Sequence, residues 1–315
     1  MPPAEPSLVA LSNPVLRYVM ATRPAFLSVT LAACLIGLAS SFASQDSVHA
    51  LTATITVLFA LVAHAGINVL NDYYDALNGT DANNVERIFP FTGGSRFIQN
   101  GVLTTTQTAV FGTLLLGIVI LAGLWLTAAS GPGLIGIGLA GLLIGWAYSA
   151  PPLRLNSRGL GEVCVWAGFT LIAIGADFVQ RGTLSALPLV AASAYGLLVT
   201  NILYINQFPD RKADLAAGKR HWVARLAPET ARWGYVLMAS VAYLWVLGAV
   251  IVHALPWTAL FALLPAALSF AAARDVVRFA AKPSRLAPAI ARTIGAANLH
   301  GVLMTGALIA GRLLA

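Results

Sequence analysis

Long apolar runs alternate with short polar segments along the whole chain. Nine runs stand out: 24–43, 50–70, 107–128, 132–149, 162–179, 186–206, 233–254, 256–273 and 289–312. Each is close to the ~20 residues that a helix needs to cross a bilayer. The pattern predicts an all-α integral membrane protein with nine transmembrane helices in one bundle. A lead over 1–23 precedes it, with a short interfacial helix at 14–21, and 24–315 form the transmembrane domain. A short loop with Asp46 and His49 separates the first two spans, and Pro256 and Pro265 punctuate the eighth.

Composition agrees with the pattern. The chain is 58% hydrophobic and 10% charged, with mean hydropathy +0.79; a soluble domain carries about 25% charged residues. The net charge of +7 does not imply nucleic acid, because the basic residues are scattered among short loops. With nine spans, 17 of the 19 Lys and Arg fall on one side, all but Arg181 and Arg312. The positive-inside rule makes that side cytoplasmic and leaves the N-terminus inside, as in an inner membrane. No cleavable signal peptide is expected, since a basic stretch leading straight into an apolar one is lacking. Cys34 and Cys164 lie in apolar runs and read as small core residues, not as a disulfide or metal site.

Two acidic stretches interrupt the apolar pattern. The first is HAGINVLNDYYDALNGTD, 64–81. On a helix, His64, Asn68, Asp72 and Asp75 share one face. The second, NQFPDRKAD, sets Asn206, Asp210 and Asp214 four residues apart. Both contain Asn-x-x-x-Asp, 138 positions apart, through shared chemistry or through two related four-span halves. An even number of spans lies between them, so both face the cytoplasm and can build one site. Clustered carboxylates with few sulfur or imidazole neighbours suit Mg²⁺, which prefers a few carboxylates plus phosphate oxygens and water. Lys219, Arg220 and Arg96 could bind a diphosphate, with Gly93 and Gly94 permitting close backbone approach. Apolar helices behind such a site suggest a lipid diphosphate whose tail lies in the bilayer.

Blander readings stand beside these. Asp81 could be an ordinary loop acid, Arg96 a flexible-loop residue, and Lys219 and Arg220 plain anchors. Arg154 and Arg158 read as topology charges, and Asp177 as an ion pair with Arg181. His64 could be a core histidine, Asn68 and Asn206 could only join helices, and Tyr148 could belong to the interfacial belt. A cation-coupled transporter would also use intramembrane acids. Its acids tend to lie at mid-membrane, however, and these end their helices.

The motifs carry a resemblance to the UbiA superfamily of intramembrane prenyltransferases. The first reads Asn71-Asp72-Tyr73-Tyr74-Asp75, with Gly79 where that family has a last Asp and Asp81 two places on. The second is Asp210-Arg211-Lys212-Ala213-Asp214, followed by Ala217-Gly218-Lys219-Arg220. TGGSRFIQNG (92–101), YSAPPLRL (148–155) and RGLGE (158–162) resemble the branch that prenylates 1,4-dihydroxy-2-naphthoate for menaquinone. The resemblance implies a cavity open to the membrane. It also implies polyprenyl diphosphate and an aromatic acceptor as partners, the naphthoate or, alternatively, 4-hydroxybenzoate, homogentisate, a chlorin or a lipid alcohol. It implies Asp72, Asp75, Asp210 and Asp214 as metal ligands with Asp81 as an open case, and Asn68, Asn71 and Asn206 beside them. Tyr73, Tyr74 or Tyr148 would stabilise an allylic cation, and His64, Asn68 or Glu162 would meet the acceptor.

Overall fold

A computed structural model describes residues 4–45 and 47–315; the predicted loop position Asp46 falls outside them. All regular structure among the described residues is helical. A surface helix α1 (Pro14–Ala21) leads into α2 (Ser28–Gln45) and α3 (Ala50–Leu77). There follow α4 (Thr105–Ser130), α5 (Gly133–Ser149), α6 (Gly161–Arg181) and α7 (Ala186–Ala216). A single turn, α8 (Trp222–Arg225), precedes α9 (Pro228–Ile251), α10 (Ala266–Phe279) and α11 (Ala287–Leu313).

Among the described residues, eight helical segments are long and apolar enough to cross a membrane. They make the chain an integral multi-pass membrane protein. The remaining expected span, 132–149, forms the shorter α5 of 17 residues. The eighth expected span is broken: a 3₁₀ stretch, Trp257–Leu263, gives way to α10 at Pro265. Proline cannot donate the hydrogen bond that a continuous helix would need there.

Local chemistry sets several boundaries. Asn13 caps α1 by accepting the N–H groups of Val15 and Leu16, with Pro14 at the first helical position. Thr104 and Gln107 form a reciprocal capping box at α4. Both acid-bearing helices run further than their apolar runs predict. α3 continues seven residues past 70 to Leu77, and α7 ten past 206 to Ala216, through Pro209. The acids therefore project from the last turns of rigid helices rather than from loops.

Small residues let the helices pack closely. A Cβ on Gly37 of α2 would lie 2.2 Å from the Ala173 carbonyl of α6. The main core joins α2, α6, α7, α9 and α11 around Ile36, Tyr195 and Met304. A second core, around Ile205, Tyr235, Leu286 and Ile290, supports the acid-bearing end of α7. The outward faces of α3, α4 and α5 expose Leu58, Leu114, Leu121 and Leu143, as lipid-facing helices do.

Candidate active site

A cavity of about 580 Å³ opens among α2, α3, α4, α5, α6 and α7. At one end it meets Asp75, Asp81, Asp210, Asp214, Lys219 and His221. Beyond them its walls are apolar, with Phe59, Ile67, Phe169, Ile172 and Ile202. Along α6 the lining runs from Cys164 to Val179, about 22 Å of helix at 1.5 Å per residue. Ile120 and Leu124 of α4, and Ile135 and Leu139 of α5, line the cavity yet are 45–61% exposed. The wall formed by α4 and α5 is thus also part of the outer, apolar surface.

The two acid clusters meet at the mouth. Lys219 Nζ lies 2.8 Å from Asp75 Oδ1 and 3.4 Å from Asp214 Oδ1, joining the end of α3 to the end of α7. Asp214 Oδ2 is 3.0 Å from His221 Nε2. Burial works against the charge of Lys219, but Asp75 and then Asp214 outweigh it and hold its pKa above the usual lysine range. The connection between α3 and α4 folds over both clusters. Its Asn84 amide donates to Asp210 Oδ1 at 2.5 Å, the Gly93 N–H to Asp210 Oδ2 at 3.4 Å, and the Ser95 N–H to Asp72 Oδ1 at 3.3 Å.

Asp81 falls inside this assembly. It is 3% exposed and lines the cavity. Its pKa is raised well above the carboxylate range, by burial first and then by Asp75, Asp72 and Asp210, with Lys219 opposing. Gly79 only turns the chain, at φ +78°. Gly94 has φ +71°, and a Cβ there would lie 2.3 Å from Asp81 Oδ2. The glycine makes room for the carboxylate.

A divalent cation fits the chemistry of these donors. Asp81 Oδ2, at the cavity, is buried and has no hydrogen-bond partner. No group of three acidic, His or Cys side chains is close enough to hold an ion alone, among the described residues. Such a donor set suits an ion completed by phosphate oxygens and water.

The structure sorts the remaining predicted residues. Asn68, Asn71, Asn206, His64 and Tyr148 line the cavity. Asn68 Nδ2 donates to the Thr22 carbonyl at 3.2 Å, Asn71 Nδ2 to Ser149 Oγ at 2.8 Å, and Asn206 Nδ2 to the Phe91 carbonyl at 3.3 Å. His64 Nδ1 is 2.7 Å from Thr30 Oγ1. Glu162 accepts from Gln207, which faces the cavity, at 2.9 Å.

Five predicted residues are placed elsewhere. Asp72 lies behind the wall, against the loop at Ser95. Arg220 is exposed, its N–H donating to the Ser157 carbonyl, because the turn at Gly218 (φ +79°) puts only Lys219 inside. Arg96 is buried but turns away from the cavity toward Glu5 and the Asp81 carbonyl. The Tyr73 and Tyr74 rings lie against each other off the cavity, tilted by 59° with centroids 5.1 Å apart, because they follow Asp72 on the far face of α3. Asp177 keeps its expected pairing with Arg181, at 4.0 Å.

Sequence reasoning missed three residues. Arg23 lines the cavity with φ +58°, donates to the Phe91 carbonyl at 3.2 Å and covers the Phe26 ring. Its one signal was the following Pro24, which disfavours a helical residue before it. Asn84 and His221 carried no signal of their own.

An acid-lined mouth above an apolar cavity in an all-helical, multi-pass membrane protein defines the class to which the fold and site belong. Residues 30–291 match the UbiA prenyltransferase family, and the chain belongs to that family. It is a prenyltransferase. A relative named 1,4-dihydroxy-2-naphthoate octaprenyltransferase, from Escherichia coli, is 30% identical over 89% of this chain and 91% of its own. A Mycobacterium tuberculosis protein of the same name is 30% identical over 83% and 86%. The fold is that of a UbiA homologue from Archaeoglobus fulgidus bound to GPP and Mg²⁺, with TM-score 0.61, 13% identity, and 93% and 99% of the two chains covered.

Proposed function

We propose that the protein transfers a polyprenyl group from polyprenyl diphosphate to 1,4-dihydroxy-2-naphthoate, with Mg²⁺, at the cytoplasmic face of the membrane. The observation that carries this reading is Lys219 bridging Asp75 and Asp214 at the mouth of an apolar cavity. Asp75, Asp81, Asp210 and Asp214 would hold the metal, with Asp72 orienting the loop behind them. When bound, a divalent ion neutralises the charge that develops on the diphosphate leaving group. Lys219 adds a fixed ammonium beside that charge. Asn68, Asn71, Asn206 and Arg23 offer donors around the mouth, and the Tyr148 ring offers a π face to an allylic cation. The apolar walls exclude water that would trap that cation. The balance is one C–C bond formed at the naphthoate ring and two bonds broken: the allylic C–O bond, releasing diphosphate, and the ring–carboxylate C–C bond, releasing carbon dioxide and returning its electron pair to the ring.

The names of the relatives, together with the motifs 92–101, 148–155 and 158–162, support the naphthoate as acceptor. The charge distribution supports the cytoplasmic placement. α5, at 17 residues, is about 26 Å long and would serve as the ninth span of the domain at 24–315. Asp210→Asn tests the site. It keeps an oxygen acceptor for Asn84 but removes the charge. Turnover should disappear while the protein stays in the membrane; wild-type turnover would sink the reading.

A further inference from the structure

We infer that Glu5, in the lead ahead of the bundle, is a positioning residue for the metal-binding carboxylates, an inference that rests on the reading above. Glu5 Oε1 accepts Arg87 Nε at 2.7 Å and pairs with Arg87 Nη2 at 2.6 Å. Its Oε2 accepts the Asn100 amide at 3.2 Å and lies 3.8 Å from Arg96 Nε. The same Asn100 amide donates to the Pro6 carbonyl at 3.0 Å. One carboxylate thus ties both ends of the connection over the site, 84–87 and 96–100.

Each tie continues to an acid. Arg87 Nη1 donates to the Asn84 carbonyl at 2.6 Å, and the Asn84 amide holds Asp210. Arg96 Nη1 donates to the Asp81 carbonyl. The two glycines between them keep the connection close. A Cβ on Gly93 would lie 2.7 Å from Arg87 Cβ, and one on Gly94 would strike Asp81.

Charge gives the second half of the argument. Two guanidinium groups converge on one carboxylate, Arg87 Nη2 at 2.6 Å and Arg96 Nε at 3.8 Å. Glu5 is the carboxylate outside the site that both guanidinium groups face. Without it, either arginine gains by turning to Asp81 or Asp210, where it competes with a divalent ion for the same oxygens. Glu5 therefore holds the cover in register and keeps two cations off the metal ligands.

The test uses full-length wild type, Glu5→Gln and Glu5→Asp in detergent. Mn²⁺ affinity is read by electron paramagnetic resonance with an unreactive farnesyl thiodiphosphate present, and kcat is measured at saturating metal. Glu5→Gln should weaken Mn²⁺ binding by about 3- to 10-fold, with the thermal midpoint and saturated kcat near wild type. Amide exchange over 84–101 should quicken, and Glu5→Asp should restore most of the affinity. Wild-type Mn²⁺ affinity in Glu5→Gln would overturn the inference. A fall in thermal midpoint with metal affinity intact would also overturn it, as a merely structural role. Wild type that binds no Mn²⁺ would instead overturn the proposed function.

Discussion

Replacing Lys219 with Met removes the cation that joins Asp75 to Asp214 and keeps a side chain of similar length. Asp214 then retains His221 at 3.0 Å, so the loss falls mainly on Asp75, whose remaining side-chain partner is the Asn78 amide at 3.2 Å. Asp75 and Asp214 are 8% and 5% exposed, so water relieves little of the exposed charge. The Lys219 N–H still donates to the Asp214 carbonyl at 2.8 Å, which holds the turn in place. Removing one member of a buried pair costs about 3–5 kcal/mol. His221, which stays with Asp214, argues for the lower end, about 3 kcal/mol. At ~2 °C or more per kcal/mol for a chain of this size, the midpoint of thermal unfolding in metal-free detergent should fall by about 6 °C. The linkage to metal has a definite sign. A divalent ion binds the folded acids and now meets less positive competition, so added Mg²⁺ should raise the midpoint of Lys219→Met more than that of wild type. Equal midpoints without metal, or equal shifts with it, would refute the bridging role of Lys219.

Other expectations follow from single contacts. Gly94→Ala combines a positive-φ backbone with a Cβ 2.3 Å from Asp81 Oδ2; it should cost about 1–3 kcal/mol in the strain alone, and Mg²⁺-dependent turnover should fall well below wild type in a protein that still folds. The Glu5 pKa is lowered: burial opposes the charge, and hydrogen bonds from Asn100 and Arg87 outweigh it. Its contribution is therefore present above the usual Glu pKa and lost as pH falls through the lowered value. Amide protection over 84–101 should be flat above the usual Glu range and fall as the pH drops below it, a step that Glu5→Gln should lack. Excess chelator should stop turnover, and Mg²⁺ should restore it; activity that survives the chelator would count against a metal-bridged diphosphate.

Much of the bundle was legible because apolar run length and helix period are one-dimensional signals. The acids were legible for the same reason: spacings of three and four put them on one helix face, and the even number of expected spans between them predicted one shared end. What failed needed rotation or turn geometry. Tyr73 and Tyr74 share the motif with Asp72 but point away from the cavity. Lys219 and Arg220 are adjacent and alike in charge, yet the positive φ of Gly218 turns one in and the other out. Arg96 was expected to meet a phosphate, but Glu5, more than ninety residues earlier, draws it aside. Long-range pairs of this kind leave no periodic trace. The break at Pro265 was foreshadowed by the proline itself, whereas Pro209 stays within α7 and shows that the residue alone does not decide.

The most direct measurement is prenyl transfer by the purified protein in detergent. It would use Mg²⁺, a labelled polyprenyl diphosphate, and either 1,4-dihydroxy-2-naphthoate or 4-hydroxybenzoate in parallel. The account predicts a prenylated product with the naphthoate, with carbon dioxide and diphosphate released, and none with the benzoate. Product with the benzoate alone would contradict the acceptor, and the absence of both product and Mg²⁺-dependent diphosphate binding would contradict the site.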